Sequence, residues 1–195
     1  DFTDPIYGVP VFSLYGEVRR PTAQSMDRFD VMLVDLQDVG CRIYTFVTTL
    51  LYVLEAATEH GKAVWVLDRP NPAGRPIEGL TLRPGWESFV GAGPMPMRHG
   101  LTLGEMGRWF IDQFKLNVEY RVIAMEGWQP EAAPGFGWPP VRPWVNPSPN
   151  AANVNMARAY AGTVMLEGTT LSEGRGTTRP LELFGAPGLD VAAIV

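Results

Sequence analysis

Cysteine is almost missing from this chain. Cys41 stands alone, so no disulfide framework holds the fold, and neither Cys nor His pairs occur at the spacing of zinc ligands. An excess of basic residues is missing too. The 16 Lys and Arg are outnumbered by 21 Asp and Glu, for a net charge of −5, which leaves no stripe able to neutralise phosphates and argues against nucleic acid as a partner. No apolar run approaches the roughly 20 residues of a membrane span. The opening Asp1-Phe2-Thr3-Asp4-Pro5 has no basic n-region or signal core, so the chain is expected to be soluble, without a transmembrane segment or signal peptide. Several motifs are also absent. There is no Gly-x-Gly-x-x-Gly turn after the first strand and no Gly-Lys-Ser/Thr ending of a Walker loop, so no nucleotide cofactor, and no cofactor at all, is expected. The lack of Gly-x-Ser-x-Gly counts against an esterase.

What is present describes a folded chain with long, specified loops. Of its 195 residues 46% are hydrophobic and 19% charged, enough to bury a core as one domain with at most a small appendage. The 18 Pro and 21 Gly make up about a fifth of the chain, against a usual share of about 12%. They gather in loops, which is where function usually sits.

The order of apolar segments predicts an α/β fold with a mostly parallel sheet. Val9 to Tyr15 reads as a first strand, with Pro10 near its beginning or on an edge. Asp30 to Val34 is short and almost wholly apolar, as in a strand buried on both faces, and it delivers Asp35, Gln37 and Asp38 at its carboxyl end. Tyr44 to His60 carries a helical stripe closed by Gly61. Ala63 to Leu67 is a second buried strand, ending in Asp68-Arg69-Pro70-Asn71-Pro72, and the three pieces form a βαβ unit. Thr102-Leu103-Gly104-Glu105 has the pattern of a capping box and opens a helix to about Phe114. Val118 to Met125 is expected to be another strand, Ala151 to Tyr160 a short helix, and Ala161 to Leu166 a strand. Asp190 reads as an N-cap for a helix running on beyond Val195. Residues 129–150, with Trp138, Trp144 and Asn146-Pro147-Ser148-Pro149-Asn150, have no periodicity and read as a functional lid or binding loop.

In parallel α/β sheets ligands bind beyond the carboxyl ends of the strands. Four strand-end loops would then share one rim, at Asp35 to Arg42, Asp68 to Gly74, Glu126 to Trp128 and Glu167 to Thr178. The last is the most heavily specified: Glu167-Gly168-Thr169-Thr170-Leu171-Ser172-Glu173-Gly174-Arg175-Gly176-Thr177-Thr178-Arg179-Pro180 combines hydroxyls, charges and glycines that permit close backbone approach. The rim would hold Asp35, Asp38, Asp68, Glu78, Glu167 and Glu173 with Arg42, Arg69 and Arg175, backed by Tyr44 and several tryptophans. Carboxylates clustered in a partly apolar cleft push their pKa values apart, so one stays protonated beside an ionised neighbour, which is what glycoside hydrolysis requires. Taken singly, each carboxylate has a plainer alternative as a cap, a loop-fixing acceptor or an arginine partner. Three other arrangements come from the same residues. His99 lies just before the capped helix and would place an imidazole at a positive helix end. Asp35, Asp38 and Asp68 would offer oxygen ligands to Mg²⁺, although no dedicated metal motif is present. Ser172 to Thr178 would form an anion-binding nest.

The blocks Asp35-Leu36-Gln37-Asp38-Val39-Gly40-Cys41-Arg42-Ile43-Tyr44-Thr45-Phe46, Asp68-Arg69-Pro70-Asn71-Pro72, Glu78-Gly79, Ser88-Phe89-Val90-Gly91, His99-Gly100-Leu101-Thr102-Leu103-Gly104-Glu105, Pro147-Ser148-Pro149-Asn150, Glu167 to Thr178 and Gly185-Ala186-Pro187 occur in the order seen in the NamZ-type exo-β-N-acetylmuramidases, and nearly the whole chain resembles that family. The resemblance implies a Rossmann-like domain, with helices on both faces of the sheet, and a smaller C-terminal domain, with the site in the cleft between them. It implies removal of N-acetylmuramic acid from the non-reducing ends of peptidoglycan fragments by an exported, extracytoplasmic enzyme. Family members are about twice this length, so residues 1–188 are expected to be the catalytic domain without its N-terminal strand and a Glu-His-Gly segment, and 189–195 the start of a C-terminal region truncated here. Thr170 stands where the family usually has Asn, and Leu181 where Phe is common.

The catalytic candidates are Glu78, Glu167 and Glu173, then Asp35 and Asp68, with no metal. Those for substrate binding are Gln37, Asp38, Arg42, Tyr44, Arg69, Asn71, His99, Asn150, Ser172, Arg175 and Thr177. Of these, Arg42, Arg69 or Arg175 would pair with the lactyl carboxylate of the muramic sugar. The alternatives are a carbohydrate-binding module on the same scaffold and a metal-dependent phosphoester hydrolase.

Overall fold

The computed structural model describes residues 1–131, 138, 139 and 141–194. The element order is β1 (Phe2–Thr3), β2 (Pro10–Val11), α1 (Ala23–Met26), β3 (Val31–Val34), α2 (Phe46–His60), β4 (Ala63–Leu67), α3 (Leu103–Phe114), β5 (Tyr120–Ile123) and α4 (Val154–Thr163), followed by 3₁₀ turns at Val164–Gly168 and Val191–Ala193. Strands β3, β4 and β5 form a parallel sheet in that order, so the expected α/β architecture is present. Part of the loop expected at 129–150, residues 132–137 and 140, lies outside the described residues, as does Val195.

Register assigns the two faces of the sheet. Met32, Val64 and Tyr120 are paired across the strands, as are Val34, Val66 and Val122. Val34, Val64 and Val66 are buried, and with Met32 and Tyr120 they join the hydrophobic cluster that contains Leu50, Leu54, Met106 and Phe110 from α2 and α3. Each of these large side chains, removed from water, stabilises the fold by about 1.5–3 kcal/mol. The alternate row, Leu33, Trp65 and Arg121, occupies the other face, where Leu33 is 56% exposed and the Arg121 guanidinium lies 5.1 Å from the Trp65 ring. Both crossover helices therefore pack on one face.

Local signals account for the element ends. Gly61 closes α2 in the left-handed conformation at φ 63°, which glycine adopts without the clash of a Cβ. Thr102 accepts from the Glu105 backbone while Glu105 accepts from the Thr102 backbone, a complete capping box for α3. Asp190 does cap, accepting from the Ala192 and Ala193 backbones, but it opens a 3₁₀ turn at Val191–Ala193.

Two expected strands are corrected. The first is confined to Pro10–Val11 and pairs antiparallel with Phe2–Thr3, outside the main sheet. Ala161 to Leu166 is not a strand: its first residues finish α4 and the rest wind into the 3₁₀ turn. Val164 is buried and Met165 is 60% exposed, so the segment packs on one side only. The rim therefore receives three strand ends, and the Glu167–Thr178 loop reaches the molecule by a different route. That route is a second cluster in which Val39, Cys41, Met97, Ala151, Met156, Ala157, Val164 and Leu181 pack together.

Gly104 shows how closely α3 sits on the sheet. A Cβ there would lie 2.6 Å from Val122 Cγ1 and 2.8 Å from Asp68 Cγ. Gly104→Ala is expected to destabilise the protein by about 1–3 kcal/mol through overpacking, read as a lowered midpoint in urea. An unchanged midpoint would show that α3 can move off the sheet.

Candidate active site

A cavity of about 500 Å³ opens beyond the carboxyl ends of β3 and β4. Its walls include Asp35, Leu36 and Gln37 from the end of β3, Phe46 from the first turn of α2, Arg69 from the end of β4, and Trp138, Arg142, Val145 and Asn146 from the proline-rich loop. The volume falls in the range of small-molecule sites, and the position is the one a parallel sheet favours.

Asp35 is the one carboxylate among these described lining residues. Its Oδ1 accepts from Arg69 Nε at 2.6 Å, with the two side chains 49% and 33% exposed. This bond holds the Asp35 carboxyl below the ordinary aspartate range, and the charges of Arg69 and Arg142 add to the effect against partial burial. An ionised carboxylate thus faces a cavity walled in part by the rings of Phe46 and Trp138.

A second, smaller cavity of about 40 Å³ is lined by Tyr44, Ser148, Asn150, Tyr160 and Arg175, room for about one water molecule. It adjoins the first along the chain, since Tyr44 and Phe46 share an edge-to-face contact at 5.0 Å and Ser148 follows Pro147 of the larger wall. Burial pushes the Tyr44 hydroxyl up to about 12, so it remains a neutral hydroxyl. Arg175 Nε donates to Glu173 and Arg175 Nη2 to Glu167. The two glutamates of the glycine-rich loop therefore clamp one arginine. Ser172 Oγ accepts from the Gly174 backbone and Thr177 Oγ1 donates to the Gly174 carbonyl, which fixes the turn internally.

The remaining candidates are engaged in holding loops, and of them Gln37 alone, among the described residues, also lines the large cavity. Asp68 accepts from Thr102 Oγ1 at 2.8 Å and from the Gly104 backbone at 2.9 Å. Burial raises its pKa against these bonds, and its place is the first turn of α3. Glu78 receives Arg98 Nη1. Gln37 Nε2 joins the ends of β3 and β4 by donating to the Asp38 and Pro70 carbonyls. Asn71 donates to the Leu101 carbonyl and accepts from the Ala73 backbone. Arg42 is buried, and its Nη1 donates to the Leu80 and Met95 carbonyls, so this guanidinium holds two loops.

His99 does not serve the positive end of α3; Thr102 and Asp68 do. Its Nε2 instead meets Asp38 Oδ2 at 3.1 Å, with side chains only 2% and 5% exposed. His99 Nδ1 accepts from the Leu101 backbone, which assigns the ring proton to Nε2 and makes Asp38 the acceptor. Asp35, Asp38 and Asp68 are thereby directed to three different partners, and no three His, Cys, Asp or Glu among the described residues form a group able to hold a metal ion.

Sequence reasoning did not single out Phe46, Arg142 or Asn146 as wall residues. Phe46 sits in the apolar stripe of α2 and looks like core, whereas the signal for Arg142 was a lone cation in an aperiodic Pro/Trp loop.

Comparisons with known proteins point to one family. The chain is 44% identical, over 188 residues, to the curated peptidoglycan β-N-acetylmuramidase NamZ of Bacillus subtilis (strain 168), covering 95% of this chain and 44% of that protein. Two crystal structures of DUF1343 family proteins from Bacteroides fragilis NCTC 9343 are similar at 34% identity. One has a TM-score of 0.82 over 95% of this chain, the other 0.85 over 97%, and each match covers 50% of the longer chain. The chain thus spans about half the length of the relatives it matches. The family description "exo-β-N-acetylmuramidase NamZ, N-terminal" matches residues 1–155 and its C-terminal counterpart residues 158–195, and the chain belongs to this NamZ family.

Proposed function

We propose that the protein carrying this chain is an exo-acting glycoside hydrolase that removes N-acetylmuramic acid from the non-reducing ends of peptidoglycan fragments. The observation that carries the proposal is the cavity beyond β3 and β4, where Arg69 keeps Asp35 ionised between aromatic walls, in a chain similar to a curated peptidoglycan β-N-acetylmuramidase. Glycosidic cleavage passes through an oxocarbenium-like transition state, which a fixed carboxylate stabilises directly or by activating water. Asp35 takes that role. Phe46 and Trp138 offer apolar faces to the sugar ring. Glu167, Glu173 and Arg175 brace the wall behind Tyr44 and Asn150. Asp68 and Glu78 hold the scaffold beneath the rim. Such a substrate places the enzyme outside the cytoplasm; no helix among the described residues is long and apolar enough to cross a membrane.

The test is incubation of the full-length protein with peptidoglycan fragments ending in non-reducing muramic acid. Free N-acetylmuramic acid should appear as the sugar product. A correctly folded protein that releases none, or that cuts only within the glycan, would overturn the proposal.

The ion pair gives a pH signature. A depressed carboxyl pKa means that Asp35 is ionised at all higher pH and loses its charge only on strong acidification. Arg69→Gln removes the principal cause, so the acid limb of kcat/KM is expected to move to higher pH, toward the ordinary aspartate range. Both side chains are partly exposed, so solvent screening keeps the accompanying change in stability small. A pH–rate profile decides it, and an unmoved acid limb would remove Asp35 from the ionisation that governs turnover.

A further inference from the structure

We propose that Arg142 is the specificity-determining residue of the large cavity, the group that selects a substrate bearing a carboxylate on its sugar ring; this rests on the muramidase reading above. Charge points there first. The chain is acidic, with a net charge of −5, yet the described walls of this cavity carry two guanidiniums, Arg69 and Arg142, against the single carboxylate of Asp35. Arg69 is already paired with that carboxylate. Arg142 makes no ion pair among the described residues, so the positive excess of the cavity resides on its guanidinium. A neutral sugar has no use for that excess. A carboxylate does, because the planar fork of an arginine matches its two oxygens.

Arg142 is also held in place before any ligand arrives. Its guanidinium lies 5.9 Å from the centroid of the Trp138 ring, within range of a cation–π contact. Its backbone N–H donates to the Pro139 carbonyl at 3.0 Å, and its own carbonyl accepts from Trp138 Nε1 at 3.3 Å. Trp138 packs on Trp144 with centroids 5.1 Å apart, and Trp144 Nε1 donates to the carbonyl of Ala151 at 2.8 Å. Ala151 is 2% exposed in the second hydrophobic cluster. A continuous series of contacts thus runs from that core to the guanidinium, so less ordering entropy is lost on binding. The same charge acts on Asp35 from across the cavity. A bound carboxylate would therefore be drawn to the Arg142 wall and kept from the Asp35 carboxylate by like-charge repulsion, orienting the ring between them.

The test compares two chromogenic glycosides on the full-length protein, one of N-acetylmuramic acid and one in which the lactyl carboxylate is converted to its amide, alike in shape but neutral. Arg142→Gln is expected to reduce the preference for the acid over the amide, as a ratio of kcat/KM values, by about 10- to 100-fold, the size of a charge-assisted hydrogen bond. Arg142→Lys, which keeps the charge without the fork, should restore part of it. An unchanged preference in Arg142→Gln would overturn the inference. If the wild type turned over neither glycoside, the muramidase reading would fail while the role of Arg142 could still be judged by calorimetry with free N-acetylmuramic acid and N-acetylglucosamine. Stronger wild-type binding of the acid, lost in Arg142→Gln, supports it; equal binding of both sugars overturns it.

Discussion

Asp35→Asn is expected to lower kcat by about 10²–10⁴-fold, the range typical of a group acting directly in proton transfer or charge stabilisation, while the protein remains folded. The substitution keeps the shape of the side chain and leaves an amide oxygen to accept from Arg69 Nε, which now bonds Asp35 Oδ1 at 2.6 Å. What disappears is the negative charge facing the cavity. Because the Asp35 side chain is half exposed, the cost in stability should stay within the ~0–1 kcal/mol of a surface ion pair. Large loss of turnover with an unchanged denaturation midpoint is therefore the expected pair of results, and KM should change far less than kcat, since the sugar is held by the aromatic walls and Arg142. Near-normal turnover in Asp35→Asn would transfer the chemistry to another group, with the Glu167 and Glu173 pair on Arg175 the next to substitute.

The elements most visible in the sequence are those written in dense local signals. Strand β4 runs from Ala63 to Leu67 as its apolar run indicates, Gly61 stops α2, and Thr102 with Glu105 starts α3. Ala161 to Leu166 misled because a short apolar run has no period that separates a strand from a buried turn of helix; its neighbours in the second cluster decide it. The site divides in the same way. Asp35 and Arg69 were legible because each lies just beyond the carboxyl end of a parallel strand, and that topology brings them together. Arg42 was not, because its guanidinium binds carbonyls 38 and 53 residues away in the chain, and nothing near Arg42 specifies those loops. The charged partners of Glu78, Glu167 and Glu173 are all arginines, Arg98 for Glu78 and a shared Arg175 for the other two, so a composition that looked like clustered carboxylates resolves into arginine-paired groups. Among the described residues, only the pair at Asp35 faces the large cavity.

Asp38→Ala is expected to produce the largest loss of stability, about 2–6 kcal/mol, the scale of leaving two buried donors without an acceptor. Asp38 Oδ2 accepts from the Gly40 backbone at 2.7 Å and from His99 Nε2. Removing it leaves both donors inside the protein without an acceptor, each at a cost of about 1–3 kcal/mol. The loop has little freedom to find another arrangement. Gly40 sits at φ 80°, and a Cβ there would overlap Asn71 and Ala73, while the Cys41 backbone forms an antiparallel β-bridge with Arg98 in the loop before α3. Against a typical domain stability of about 5–15 kcal/mol, this single change removes a large share. His99→Ala should cost less than Asp38→Ala, because the Gly40 bond survives, and the double variant should fall short of the sum of the two, since either substitution already breaks the shared contact. Urea denaturation of the four proteins measures both statements. A loss below about 1 kcal/mol in Asp38→Ala would mean that water enters and takes over as acceptor. The expected loss ties the site to the fold in a definite way: the loop that Asp38 anchors connects the end of β3, which carries Asp35, to α2, which carries Phe46, so the spacing between the carboxylate and one aromatic wall depends on a buried bond outside the described cavity walls.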